Sequence, residues 1–242
     1  MKYVFILFLF SIQISARVLT LSQEKFASYF SGEMSSSLLK TAPFDDIVTA
    51  TDSFSDEYKL GMGGEFGFVY STPYVGWRFA FEILKPGKLS DVTASQSGTV
   101  NYLVSSDVTV VSPKLGIEIH LNRLPSSRIY LFACYGSSNL TMTNTFTGVV
   151  VSPNSDHEVP LKSTAPLMVG GFGMEWSFVD TTTFGIELGY RSLVFSEIKY
   201  AKDVTSFSGS KVAGDLYQNT LGENKTLNFS SYFGAVTFRF WL

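Results

Sequence analysis

The stretch Val75-Gly76-Trp77-Arg78-Phe79-Ala80-Phe81-Glu82-Ile83-Leu84 shows most directly how this chain folds. Its odd positions are Val, Trp, Phe, Phe and Ile; its even positions are Gly, Arg, Ala, Glu and Leu. Successive side chains of a β-strand face opposite ways, so this segment has one bulky apolar face and one face that is mostly small or charged.

The same period runs outward in both directions. Leu60, Met62, Gly64, Phe66 and Phe68 alternate with Gly61, Gly63, Glu65 and Gly67. Leu115, Ile117, Ile119 and Leu121 alternate with Lys114, Gly116, Glu118 and His120. Met168, Phe172, Met174, Trp176 and Phe178 face away from Val169, Gly171, Gly173 and Glu175. Phe184, Ile186, Leu188 and Tyr190 face away from Gly185, Glu187, Gly189 and Arg191. The chain ends in Tyr232, Val236, Phe238, Phe240 and Leu242 against Ala235, Thr237 and Arg239. Residues 128–142 break the rule: Ile129, Leu131 and Ala133 are odd, whereas Leu140 and Met142 are even, which predicts a β-bulge at Gly136 to Asn139.

Residues 1–16 are a different object. Lys2, the apolar run Val4 to Phe10 and a small residue at Ala16 have the plan of a cleaved signal peptide. Residues 17–242 are then one domain. Its short links are Ser71 to Tyr74, Arg123 to Ser127 and Asp180 to Thr182. They alternate with long polar stretches at about 37–57, 86–110, 143–165 and 199–226, as in an up-and-down membrane barrel. Residues 24–36, with Phe26, Phe30 and Met34 on one face and Tyr29 and Glu33 on the other, supply the strand that brings the count to eight. The expectation is an all-β, antiparallel, transmembrane barrel.

Orientation follows from size and charge. An eight-stranded barrel is only just wide enough inside for packed side chains. Gly, Ser and Ala suit that space; Trp77, Phe79, Phe81 and Ile83 together suit lipid. The small-residue faces also carry Glu65, Arg78, Glu82, Lys114, Glu118, His120, Glu175, Glu187, Arg191 and Arg239, with Arg128. Facing lipid at the midplane, each Arg or Lys costs about 2–4 kcal/mol. Turned inward, five acids and five bases neutralise one another as a lumen network. Tyr70, Tyr74, Trp77, Tyr190 and Phe240, with Tyr58, Tyr200 and Tyr232, fall near strand ends, where aromatic girdles mark the membrane interfaces.

Other chemistry is weakly represented. The net charge of −3 without a basic block excludes a nucleic-acid footprint. The single cysteine, Cys134, rules out an internal disulfide and reads as a small packed residue. His120 reads as a lumen residue and His157 as a solvated loop residue. No cofactor, metal or catalytic set is expected: Asp156, His157 and Glu158 are adjacent and splay apart, and the acids of 37–57 lack a calcium-loop signature.

The terminal run Phe238-Arg239-Phe240-Trp241-Leu242, with the export signal, strand count and charged lumen, resembles the small eight-stranded outer-membrane barrels. That group includes outer-membrane protein W and the membrane domain of outer-membrane protein A. The usual last residue is Phe or Trp, and Leu242 departs from that. The resemblance implies insertion into the outer membrane of a Gram-negative bacterium, long loops outside the cell, and recognition of the last strand by the barrel-assembly machinery. Three functions follow: a plugged surface or structural protein, a narrow channel for small and even hydrophobic molecules, or a soluble lipocalin-like binder. Oligomeric state is not legible.

Overall fold

The computed structural model describes residues 19–36, 53–56, 58, 60–96, 98–122, 124–150, 155–207, 209–218 and 222–242. The expected signal peptide and most of the first expected loop lie outside them. Eight long strands form the wall: β1 (Phe26–Ser36), β2 (Leu60–Ser71), β3 (Val75–Pro86), β4 (Thr99–His120), β5 (Ser127–Thr147), β6 (His157–Val179), β7 (Thr182–Phe195) and β8 (Ser231–Trp241). Each is antiparallel to its sequence neighbour, and β8 pairs back onto β1 from Ala27↔Trp241 to Ser35↔Phe233, so the sheet closes. Closure removes the unpaired edge that an open sheet would present to lipid.

Following cross-strand partners from Phe26 gives Tyr70, Trp77, Ile117, Ala133, Gly170, Tyr190 and Tyr232. Tyr232 lies next to Phe233, the partner of Ser35, and so arrives level with Ser36 rather than Phe26. The wall therefore climbs from Phe26 to Ser36 in one circuit, and that stagger is what tilts the strands of a closed barrel.

The outward face is the bulky one. Trp77 is 60% exposed, Leu115 64% and Met168 60%, whereas Glu82 and Glu118 are at 0%. In water this apolar belt would be an aggregation surface; in hydrocarbon it is solvated.

β4, β5 and β6 outrun the membrane. They are 22, 21 and 23 residues long, about twice what a tilted span needs. The ends away from the short turns continue as a twisted sheet, widened by the strand Leu89–Gln96, which pairs with β4 and with Ser53–Phe54. Lys199–Tyr200 pairs with β6, and a small hairpin, Val204–Ser206 with Gly209–Lys211, follows it. The segments expected as loops at 86–110 and 143–165 are thus largely strand. This projecting sheet, the cap, encloses its own apolar core: Val92, Tyr102, Val104, Val108, Leu140, Met142, Phe146, Val159, Leu161, Phe195 and Tyr200 are buried.

The expected bulge in β5 is absent. Its register to β6 runs without a shift from Ser127↔Trp176 to Phe146↔His157, and its pairs with β4 keep one register from His120↔Tyr130 to Leu103↔Thr147. Even residues point inward throughout. What changes near Gly136 is the environment: below it inward means a charged lumen, above it inward means an apolar core.

Candidate functional site: the charged lumen

Inside the membrane half, strand alternation aims one or two charged side chains per strand at the axis. β3 supplies Arg78 and Glu82, β4 Lys114 and Glu118, β7 Glu187 and Arg191, β2 Glu65, β6 Glu175 and β8 Arg239. The glycines opposite bulky inward residues make the room. A Cβ on Gly173 would collide with the ring of Tyr130, its cross-strand partner, and one on Gly67 would strike the ring of Tyr29 and the backbone of Phe79.

Two ionic clusters result. In the first, the Arg239 guanidinium donates to both Glu118 oxygens at 2.8 and 2.9 Å and lies 3.4 Å from Glu175 and 3.5 Å from Glu187. Arg78 donates to Glu187 and lies 3.2 Å from Glu118. Tyr130 ties the two arginines together, donating to Glu187 at 2.7 Å and accepting from Arg239 at 2.9 Å. In the second cluster, nearer the cap, Lys114 bridges Glu65 at 2.6 Å and Glu82 at 2.9 Å. Arg191 donates to Glu82 and, at 2.5 Å, to Glu33. Tyr29 donates to Glu65, which itself lies 4.0 Å from Arg78, so the clusters touch.

All ten residues expected in the lumen point inward. Nine of them form these clusters; His120 lies at the edge, with Nε2 3.9 Å from Glu118 and making no hydrogen bond. Glu33, Tyr29 and Tyr130 were not among those ten. Glu33 makes the network six acids, against five bases when Arg128 is counted. Arg128 makes no ion pair with these acids within 4 Å. It lies at the short-turn end instead, donating to the Leu21 carbonyl and to Ser71 Oγ at 3.2 Å, with its guanidinium 5.0 Å above the Trp241 ring. Leu21 is buried against Ala27 and Trp241, and its N–H donates to the Pro125 carbonyl at 3.0 Å. Trp241 donates in turn to Glu175 at 3.2 Å and Thr183 at 3.1 Å.

At the other end, above Lys114, Ser112 and Ser138 share a 2.6 Å hydrogen bond, and the apolar core of the cap begins directly above them. His157 belongs to that cap and not to a solvated loop: its ring stacks on Phe146 at 4.9 Å and meets Phe207 edge-on at 4.7 Å. Tyr58 and Tyr200 are likewise buried in the cap and leave the girdle; burial pushes the Tyr58 hydroxyl, which donates to the Ser106 carbonyl, up to about 12. Tyr70, Tyr74, Trp77, Tyr190, Phe240 and Tyr232 are exposed on the outer wall. Tyr190 of β7 and Tyr232, near the upper end of β8, pair at 5.0 Å between ring centroids. Cys134 is buried, facing inward.

An apolar outer wall, a paired charged interior and a closed eight-stranded ring with short turns at one end are the features of an outer-membrane-type transmembrane barrel. The fold is that of an outer-membrane β-barrel. No protein-family model and no curated protein sequence matches the chain. Solved outer-membrane barrels do match it in structure. A major outer membrane protein from Thermus thermophilus overlays with a TM-score of 0.50 at 11% identity, covering 89% of this chain and 99% of that one. The outer membrane protein OprG from Pseudomonas aeruginosa gives 0.46 at 11% identity, covering 93% and 99%. Ail, the attachment invasion locus protein of Yersinia pestis, gives 0.43 at 14% identity, covering 90% and 98%. At such identities the likeness speaks to the fold alone. Within this outer-membrane barrel, the chemistry specific to the chain is therefore read from its own lumen and cap.

Proposed function

We propose that this chain is a non-conducting anchor in the outer membrane, holding a rigid β-cap outside the cell. The observation that carries this reading is the succession of side-chain contacts along the interior. Leu21, Arg128 and Trp241 occupy the short-turn end, the two ionic clusters occupy the membrane half, and an apolar core occupies the cap. An ion entering this path would have to break ion pairs and then cross apolar packing, and buried charges separated from their partners are expensive. The titratable lumen groups serve pairing, and the reading gives neither His120 nor His157 a catalytic role. It places the short turns in the periplasm and the long strand ends outside. The alternating β8, closing with inward Trp241, is in this reading the segment the barrel-assembly machinery recognises.

The test is reconstitution of the full chain in a planar lipid bilayer. The expected result is a silent membrane that becomes leaky when Arg239 and Lys114 are replaced by alanine together. Steady unitary conductance from the wild-type chain would reject the anchor and favour the narrow channel. Recovery of the protein in the aqueous phase without detergent would reject both.

A further inference from the structure

We propose that the outer face of the cap binds a phosphate carried by an outer-leaflet glycolipid headgroup, through Lys162 and Lys199. The face itself sets the chemistry. Outward residues of β5 above the membrane are Asn139, Thr141, Thr143, Thr145 and Thr147, and their neighbours include Thr109, Asp107 and Ser105 on β4 and Thr164 on β6. One cross-strand row runs Thr109, Thr141, Lys162, Lys199. Leu161 and Tyr200, the next pair along, are buried, so Lys162 and Lys199 both point outward.

Two lysines are therefore cross-strand partners on one face of an antiparallel pair, and like charges opposite one another destabilise a sheet. Glu197 lies 3.6 Å from Lys199 and is 69% exposed, and Glu158 lies four residues from Lys162 on the same outward side of β6. Glu197 pairs with Lys199, and among the described residues Lys162 has no carboxylate within 4 Å; an anion seated between the two lysines would serve both, and the threonine hydroxyls beside them are donors suited to phosphate and sugar oxygens. The position selects the source of that anion. The same strand faces are apolar below, at Leu115, Tyr135 and Met168, and three outward positions higher they are hydroxylated and charged, at Thr109, Thr141 and Lys162. In the orientation proposed here, on which this inference rests, the row stands in the headgroup layer, where phosphates are concentrated.

The experiment uses the full chain folded in dodecylmaltoside micelles, so its outcome does not depend on which way the barrel sits in a membrane or on whether it conducts. Thermal unfolding, read by the gel shift between folded and unfolded barrel, is followed with three additives. These are a bis-phosphorylated, acylated glucosamine disaccharide, the same glycolipid stripped of phosphate, and inorganic phosphate. The phosphorylated glycolipid is expected to raise the wild-type midpoint, and the other two to leave it unchanged. The Lys162→Gln/Lys199→Gln variant is expected to melt no lower than wild type without additive, because repulsion is relieved, and to bind the phosphorylated glycolipid on the order of tenfold more weakly. Lys202→Gln/Lys211→Gln, an equal change of charge elsewhere on the cap, is expected to behave as wild type. Unchanged binding by the first variant, equal weakening by the second, or an equal shift from the stripped glycolipid or from inorganic phosphate would overturn the proposal.

Discussion

Low on β4, Ile117 faces out and Glu118 faces in; high on the same strand, Thr109 faces out and Val108 faces in. The alternation never slips, yet the chemistry of its two faces is exchanged. β5 repeats the exchange, from Leu131 outside and Arg128 inside to Thr143 outside and Met142 inside. In the membrane the solvent is hydrocarbon, so apolar side chains go outward and polar groups must find partners within. Above it the solvent is water, and the ordinary arrangement of a soluble sheet returns. One set of strands is thus built for two solvents, with the boundary near Ser112, Ser138 and Ala165. The barrel half is lined with ion pairs and the cap half with apolar packing, and the two should fail differently.

The severest challenge to this division is Arg239→Ala. It strips a partner from Glu118 in the barrel half and should cost about 3–5 kcal/mol, since it leaves a buried carboxylate short of charge. Urea unfolding in lipid vesicles measures it, and a loss below about 1 kcal/mol would mean that the network does not hold the barrel. Leu140→Ala removes apolar volume from the cap and should cost about 2–5 kcal/mol. Its loss is expected locally: proteolysis of the cap accelerates while the gel shift of the folded barrel survives. Gly173→Ala probes how the lumen is filled. The added methyl group must displace Tyr130, at a cost of about 1–3 kcal/mol in barrel stability. The smallest effect should come from Thr143→Val on the outer face of the cap, within about 0.5 kcal/mol of wild type. A large loss there would show that this face is packed against something. Salt supplies a contrast without mutation: about 1 M NaCl should leave the unfolding midpoint of the barrel nearly unchanged, because buried pairs are screened little.

Much of this was legible along the chain. Alternation of bulky with small or charged residues located all eight strands, and the three short links ordered them. The charged residues of the lumen could be named because Phe79 and Phe81 fix the side on which Arg78 and Glu82 must lie. Glu33 was legible by the same rule, between Phe30 and Met34, and so was Tyr130, between Ile129 and Leu131. Their share in the clusters was not, because which inward groups meet depends on the stagger that sets β1 beside β8 and turns Arg191 toward Glu33. The burial of Leu21 against Ala27 and Trp241 carries no periodic signal at all.

Period, strand count and the face that meets lipid were all contained in the order of residues, because they depend on near neighbours and on the cost of placing charge in hydrocarbon. It took the folded barrel to show that the apparent slip at Gly136 to Asn139 is a change of surroundings. A strand carries the same parity into lipid and into water, and nothing local marks where the bilayer ends. Closure of the sheet also chose the ion-pair partners, since residues far apart in the chain meet across the lumen only after the ring is complete.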